Sequence, residues 1–226
     1  MSHPKAAPQV TGHASSILER VGMLKNPYFD MLKNGSMSKE HFLRTQEQFY
    51  FAVAFFSRPM SCLVARIPHP KDRLDILHNV LEEHGDLNEE EFHVTTFQKF
   101  LTSVGSKTDL DEVTMCPQVR AFNGVLANAC ALDKVEVGVA CLGTIELAFA
   151  DVSALIGKAV VDRGWVSQDD LVHYKLHAEI DKRHAEELFF VLERHWETPN
   201  KQKAINQGLE LGAYVFNRLY RDLLEL

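Results

Sequence analysis

Several things are scarce in this 226-residue chain, and each scarcity removes a class of protein. Cysteine occurs four times, at Cys62, Cys116, Cys130 and Cys141, with no Cys-x-x-Cys pairing. That argues against a disulfide framework or a thiolate zinc site and for reduced cysteines in a core. Sustained period-two alternation of apolar and polar residues is almost absent, so strands are not expected. No basic excess exists: 24 Lys and Arg stand against 31 Asp and Glu, a formal charge of -7, which argues against nucleic acid as the main partner. No basic-then-apolar opening with a small-residue cleavage site is present. The longest mostly apolar run, Val137 to Ala150, is too short and interrupted to cross a bilayer. No repeat, low-complexity tract or linker divides the chain. The expectation is one cytoplasmic domain over residues 14–226, without membrane or nucleic-acid partners, behind a disordered leader at 1–13.

What is present is helix. Pro and Gly fall where long helices would be punctuated, as at Asn26-Pro27, Asn34-Gly35, Pro68 to Pro70, Gly85, Gly105, Gly164 and Pro199. The pattern predicts helices at roughly 14–24, 27–34, 38–66, 71–84, 89–103, 117–131, 134–163, 168–196 and 200–225. Ser38 is placed to cap the third, Ser167 with Asp170 reads as a capping box, and Pro59 is expected to kink the third helix. The architecture expected is an all-α, single-domain bundle.

The chemistry is concentrated in polar residues at helical spacing. Eleven histidines are many for this length. His177, Asp181 and His184 lie four and then three residues apart, on one face of a helix. Two imidazoles and a carboxylate suit iron or manganese, and also zinc. Glu146 is the lone carboxylate in the apolar run from Val137 to Ala150, and a carboxylate buried without a partner costs several kcal/mol that a metal would relieve. Glu83 closes one predicted helix and His93 sits early in the next, so the two can meet across the turn. Carboxylates and histidines from separate helices are how bundles assemble di-metal sites. The aromatic stretch Phe49, Tyr50, Phe51, Phe55, Phe56 is core in large part, with one face available to line an apolar cavity, and Tyr50 is the candidate substrate contact.

On these residues the chain resembles the haem-oxygenase-like di-metal oxidases, which include the chlamydial protein associating with death domains and are related in fold to TenA and PqqC. The resemblance runs from Asn26-Pro27-Tyr28-Phe29 through Lys33 to Ser38, Phe49-Tyr50, Asn79 to Glu83, and Glu146 to the final triplet. It implies a haem-oxygenase-like (TenA/PqqC-like) bundle whose ligands are Glu83, His93, Glu146, His177, Asp181 and His184, with Glu82 the alternative to Glu83. It implies two iron ions, or manganese, or a mixed pair, with dioxygen as co-substrate oxidising a small molecule. A homodimer and an external electron donor follow from the same resemblance. The branch that forms para-aminobenzoate from its own side chains uses a tyrosine and a lysine, where this chain has Phe29 and Ile156, with Lys158 nearby. The competing readings are a TenA-like hydrolase with a cysteine nucleophile, a PqqC-like metal-independent oxidase, and a non-catalytic helical interaction protein. The carboxylate-rich set argues against haem.

Overall fold

The computed structural model describes residues 7–226, and among these it contains nine α-helices and no strand. They are α1 (Pro8–Val21), α2 (Pro27–Lys33), α3 (Lys39–Arg66), α4 (Pro70–Glu83), α5 (His93–Val104), α6 (Pro117–Ala131), α7 (Val135–Asp162), α8 (Val172–Glu193) and α9 (Pro199–Leu223). The bundle is built around α7, which packs chiefly on α8 and α9, while α3 carries α4, α5 and α6 on its flanks.

A helix that is apolar on nearly every side belongs in a core. Over 28 residues α7 is long and apolar enough to cross a membrane, and most of it is buried inside this bundle instead. Close approach of α9 to α7 depends on small residues. A Cβ on Gly208 would stand 2.3 Å from the Val137 carbonyl oxygen, and one on Gly212 would stand 2.5 Å from that of Cys141.

Local signals act largely as anticipated. Ser38 Oγ accepts the His41 amide at 3.1 Å as expected, whereas at Pro59, where a kink is expected, α3 continues as one helix. Three boundaries differ. The first helix begins at Pro8, well before residue 14, because proline suits the first turn and the Glu193 carboxylate accepts the Gln9 and Val10 amides at 3.0 and 3.1 Å. The expected leader is therefore helical from Pro8 onward, and its residues 1–6 lie outside the described chain. The Ser167–Asp170 box does close, with the Asp170 amide 3.2 Å from Ser167 Oγ, but it caps only a turn, and α8 starts at Val172.

The third difference shapes the site. The helix expected from residue 89 starts at His93, after two single 3-10 turns, Gly85–Leu87 and Glu89–Glu91. Three successive residues, Gly85, Asp86 and Leu87, have left-handed backbone (φ 54°, 51° and 74°). Only glycine takes that region freely, so Asp86 and Leu87 are held there at a cost. Gly85 is also pressed on the chain: a Cβ there would lie 2.6 Å from the Glu91 carbonyl carbon. This tight reversal brings the end of α4 against the start of α5.

Candidate metal centre

All six expected ligand residues are buried, and four helices bring them together: Glu83 from α4, His93 from α5, Glu146 from α7, and His177, Asp181 and His184 from α8. His93 Nδ1 is 2.8 Å from Glu83 Oε1, across the reversal just described. His177 Nδ1 is 2.8 Å from Asp181 Oδ1, one turn along α8. His184 Nδ1 lies 3.8 Å from both Glu146 Oε2 and Asp181 Oδ1. Ligand atoms of Glu83, Glu146 and His184 all fall within 4.8 Å of one another.

A buried polar atom normally has a hydrogen-bond partner. In this cluster Glu146 Oε1, His177 Nε2, Asp181 Oδ2 and His184 Nδ1 have none. Two are carboxylate oxygens and two are imidazole nitrogens, the donor chemistry of iron, manganese and zinc sites. Left unsatisfied, such atoms each cost about 1–3 kcal/mol. The residues present therefore fit a metal centre.

The electrostatics carry the same strain. Burial pushes the Glu146 carboxyl up to about 8, with the Asp181 carboxylate adding to the effect and His184 opposing it. Burial likewise drives Asp181 well above the usual carboxylate range. Burial and the neighbouring His93 keep His177 neutral, its pKa well below the ordinary value. Burial would also lower His184, but the carboxylates of Glu146 and Glu82 outweigh it and raise the ring to about 11. For Glu83 the penalty of burial is overcome by His93, which holds its carboxyl at about 2.

Glu82 has a different place. Its Oε2 is 2.9 Å from His184 Nε2, and its Oε1 accepts Arg183 Nη2 at 2.6 Å. It thus fixes the outer nitrogen of His184 while the inner one turns to Glu146 and Asp181. Carboxylates in that position orient metal-binding histidines and raise their basicity. Between the two glutamates, geometry puts Glu83 inside and Glu82 behind His184. His78 and Glu187 continue this outer network, with His78 Nδ1 3.3 Å from Glu82 Oε2 and Arg183 Nη1 3.4 Å from Glu187 Oε1.

The inner side of the cluster borders a cavity of about 40 Å³. Glu83, His93, Glu146 and His177 form its polar end, and Phe49, Phe56, Phe122, Phe149 and Phe216 form apolar wall. Tyr50 is not part of that wall. On α3 the face that reaches the cavity carries Phe49, Ala52, Val53 and Phe56, and Tyr50 points about 100° away from Phe49. Its ring is half-exposed, and its hydroxyl accepts Gln98 Nε2 at 3.2 Å. One polar lining residue is not singled out by the sequence: His173, one turn before His177 on the same face of α8, fully buried against the cavity. Its spacing of four from His177 was the available signal.

The candidate nucleophiles of the hydrolase reading lie elsewhere. Cys130 and Cys141 are buried in α6 and α7, and burial pushes the Cys130 thiol up to about 12 and Cys141 higher still.

The family model described as iron-containing redox enzyme matches residues 43–216. Among curated relatives, a 4-aminobenzoate synthase of Nitrosomonas europaea is 21% identical over 202 residues, covering 84% of this chain and 80% of that protein. A 4-aminobenzoate synthase of Chlamydia muridarum is 23% identical over 175 residues, covering 76% and 72% respectively. Among solved structures, a TenA homologue from Pseudomonas syringae superposes with a TM-score of 0.75 at 16% identity, over 100% of this chain and 95% of that one. A domain with a heme oxygenase-like fold from Shewanella denitrificans gives 0.73 at 16% identity, covering 96% and 89%. At such identities the structural matches establish the fold and nothing narrower.

Proposed function

The chain belongs to the iron-containing redox enzyme family, and from that premise we propose that it is a non-haem di-iron oxidase that uses dioxygen to oxidise a small organic molecule. The observation that carries the proposal is the set of four unpartnered ligand atoms, buried together beside an aromatic-walled cavity. Glu83, His93, Glu146, His177, Asp181 and His184 would hold two irons, or manganese in place of one or both. Bound iron supplies one-electron chemistry and a place for dioxygen, which no side chain of the set offers by itself. A cytoplasmic homodimer served by an external electron donor belongs to the same proposal.

The chain's own residues set the conditions. In the metal-free site burial pushes the Glu146 carboxyl toward its protonated form, and the neighbouring carboxyl groups push the His184 ring toward its own. Ligation requires both to give up their protons, so metal uptake releases protons and strengthens with pH. The phenylalanine wall excludes water and sharpens every electrostatic interaction inside. Glu82 holds the His184 ring in one orientation throughout.

The relatives named 4-aminobenzoate synthase raise the question whether this chain makes the same product. Formation from its own side chains is not what the residues support. Phe29 has no hydroxyl and is packed on Tyr220, and Ile156 is buried and apolar. Lys158 is exposed on the outer side of α7, paired with Asp162. A diffusible substrate in the cavity is the reading favoured here.

The test is anaerobic loading with ferrous iron, elemental analysis, and measurement of dioxygen uptake with a chemical reductant. About two irons per chain and iron-dependent uptake are expected. A wild-type iron content near zero would refute the proposal.

A further inference from the structure

We propose that His173 is the hydrogen-bond acceptor that selects and orients the occupant of the cavity, a small neutral molecule carrying an O–H or N–H on an apolar body. The inference deepens the oxidase reading by naming its substrate class, but the binding it describes needs no turnover.

Thr96 fixes which nitrogen of His173 carries the proton. Its hydroxyl has one proton, and Thr96 Oγ1 lies 2.9 Å from the His93 carbonyl oxygen and 3.0 Å from His173 Nδ1. A carbonyl oxygen only accepts, so the hydroxyl proton goes to His93. The Thr96 oxygen is then the acceptor for His173, whose proton must sit on Nδ1. The opposite assignment would leave two oxygens facing each other without a proton and an unmet N–H on the far side of the ring. With Nδ1 protonated and the ring neutral, Nε2 carries a bare lone pair. That atom is buried and has no partner in the protein.

The ring cannot readily turn to hide it. It is held between His177, Phe97, Tyr174 and Phe149, with centroid distances of 4.2, 4.8, 5.4 and 6.2 Å. His173 also lines the cavity, beside the apolar wall and next to His177. An occupant placed to donate a hydrogen bond to Nε2, with a small shift of the ring to expose it, would satisfy that atom. An ether, nitrile or carboxylate has no proton to give and leaves it unmet, which is the situation that makes polar sites selective. Size narrows the class further. The cavity is about 40 Å³, well below the ~150 Å³ that admits benzene, which limits the class to molecules of a few heavy atoms, such as short-chain alcohols and amides.

The experiment uses the full chain loaded with diamagnetic zinc, with histidine labelled by nitrogen-15. Long-range proton–nitrogen correlation should show His173 with a protonated Nδ1 and a bare Nε2. Ethanol and acetonitrile, each of three heavy atoms, are titrated in parallel. Ethanol should shift the Nε2 resonance and saturate at a concentration about fivefold to tenfold lower than acetonitrile. Thr96→Val removes the acceptor for Nδ1 while keeping shape, so the proton should move to Nε2 and the preference for ethanol should vanish or reverse. Thr96→Ser should restore it, and His173→Phe should abolish it. The inference is overturned by a protonated Nε2 in the wild type, by zinc binding at Nε2, or by a preference that Thr96→Val leaves unchanged. None of these outcomes depends on iron, so they are distinct from failure of the oxidase reading.

Discussion

Replacing Glu146 by glutamine separates what the residue costs the fold from what it gives the site. In the metal-free protein the Glu146 carboxyl titrates at about 8, against an ordinary value of 4.5, because burial disfavours the charged form. A pKa raised on folding means that the folded chain holds a proton that the unfolded chain has released. The resulting stability is complete below about pH 4.5 and is lost progressively as pH climbs to about 8. Between pH 6 and pH 8 the loss amounts to ~2 kcal/mol. Glutamine has the shape of the protonated form and no proton to lose. The wild type should therefore fall relative to Glu146→Gln by ~2 kcal/mol over that interval, or ~4–8 °C in Tm. His184 is held high partly by Glu146 itself, so the substitution also lowers His184, and the difference between the two proteins reads the Glu146–His184 pair together.

Thermal unfolding of both metal-free proteins across pH reads this directly. Repeating the scans with ferrous iron reads the other half. At a free concentration 100-fold above Kd, binding adds ~2.7 kcal/mol to the wild type. If the loss of one anionic ligand weakens binding about 100-fold, the gain falls below ~0.5 kcal/mol. Parallel pH profiles for the two proteins would refute the buried neutral carboxyl, and an undiminished iron shift would refute Glu146 as a ligand.

Three further outcomes are expected. His93→Ala should lose about one metal per chain while Asp181→Ala loses both, because His93 depends on the strained reversal at Gly85 to Leu87 and Asp181 sits on one rigid helix between His177 and His184; equal losses by elemental analysis would contradict this. Glu82→Gln should keep the metal stoichiometry but weaken affinity by ~10–100-fold in competition with a chelator, since it holds His184 from behind. Gly208→Ala should cost ~1–3 kcal/mol in denaturant unfolding, because its Cβ would meet the Val137 carbonyl at 2.3 Å and push α9 from α7.

Much of the fold was legible because the residues that punctuate it act locally. Ser38, Asn26-Pro27 and the apolar run of α7 work through neighbours a turn away, and their elements lie where periodicity puts them. The misplaced ends have long-range causes. Pro8 opens a helix because Glu193, at the end of α8, meets its first amides. The start of α5 is set by three residues in left-handed backbone, and nothing in the composition of Asp86 or Leu87 announces that conformation.

The site divides along the same line. His177, Asp181 and His184 share one helix face, and Glu146 stands alone among apolar neighbours, so spacing and contrast were enough to single them out. Glu82 and Glu83 differ by 100° around α4, and only the position of His184 decides which looks inward. His173 obeys the same spacing as its neighbours, and helical spacing cannot tell a ligand from a group beside it. What distinguishes it is Thr96, on another helix, which takes up one ring nitrogen and leaves the other bare. The four imidazoles differ in which ring nitrogen is engaged: Glu83 and Asp181 meet the Nδ1 atoms of His93 and His177, Glu82 meets Nε2 of His184, and Thr96 meets Nδ1 of His173. On the proposed function, the nitrogen left over in each ring is the one available to a metal or a substrate.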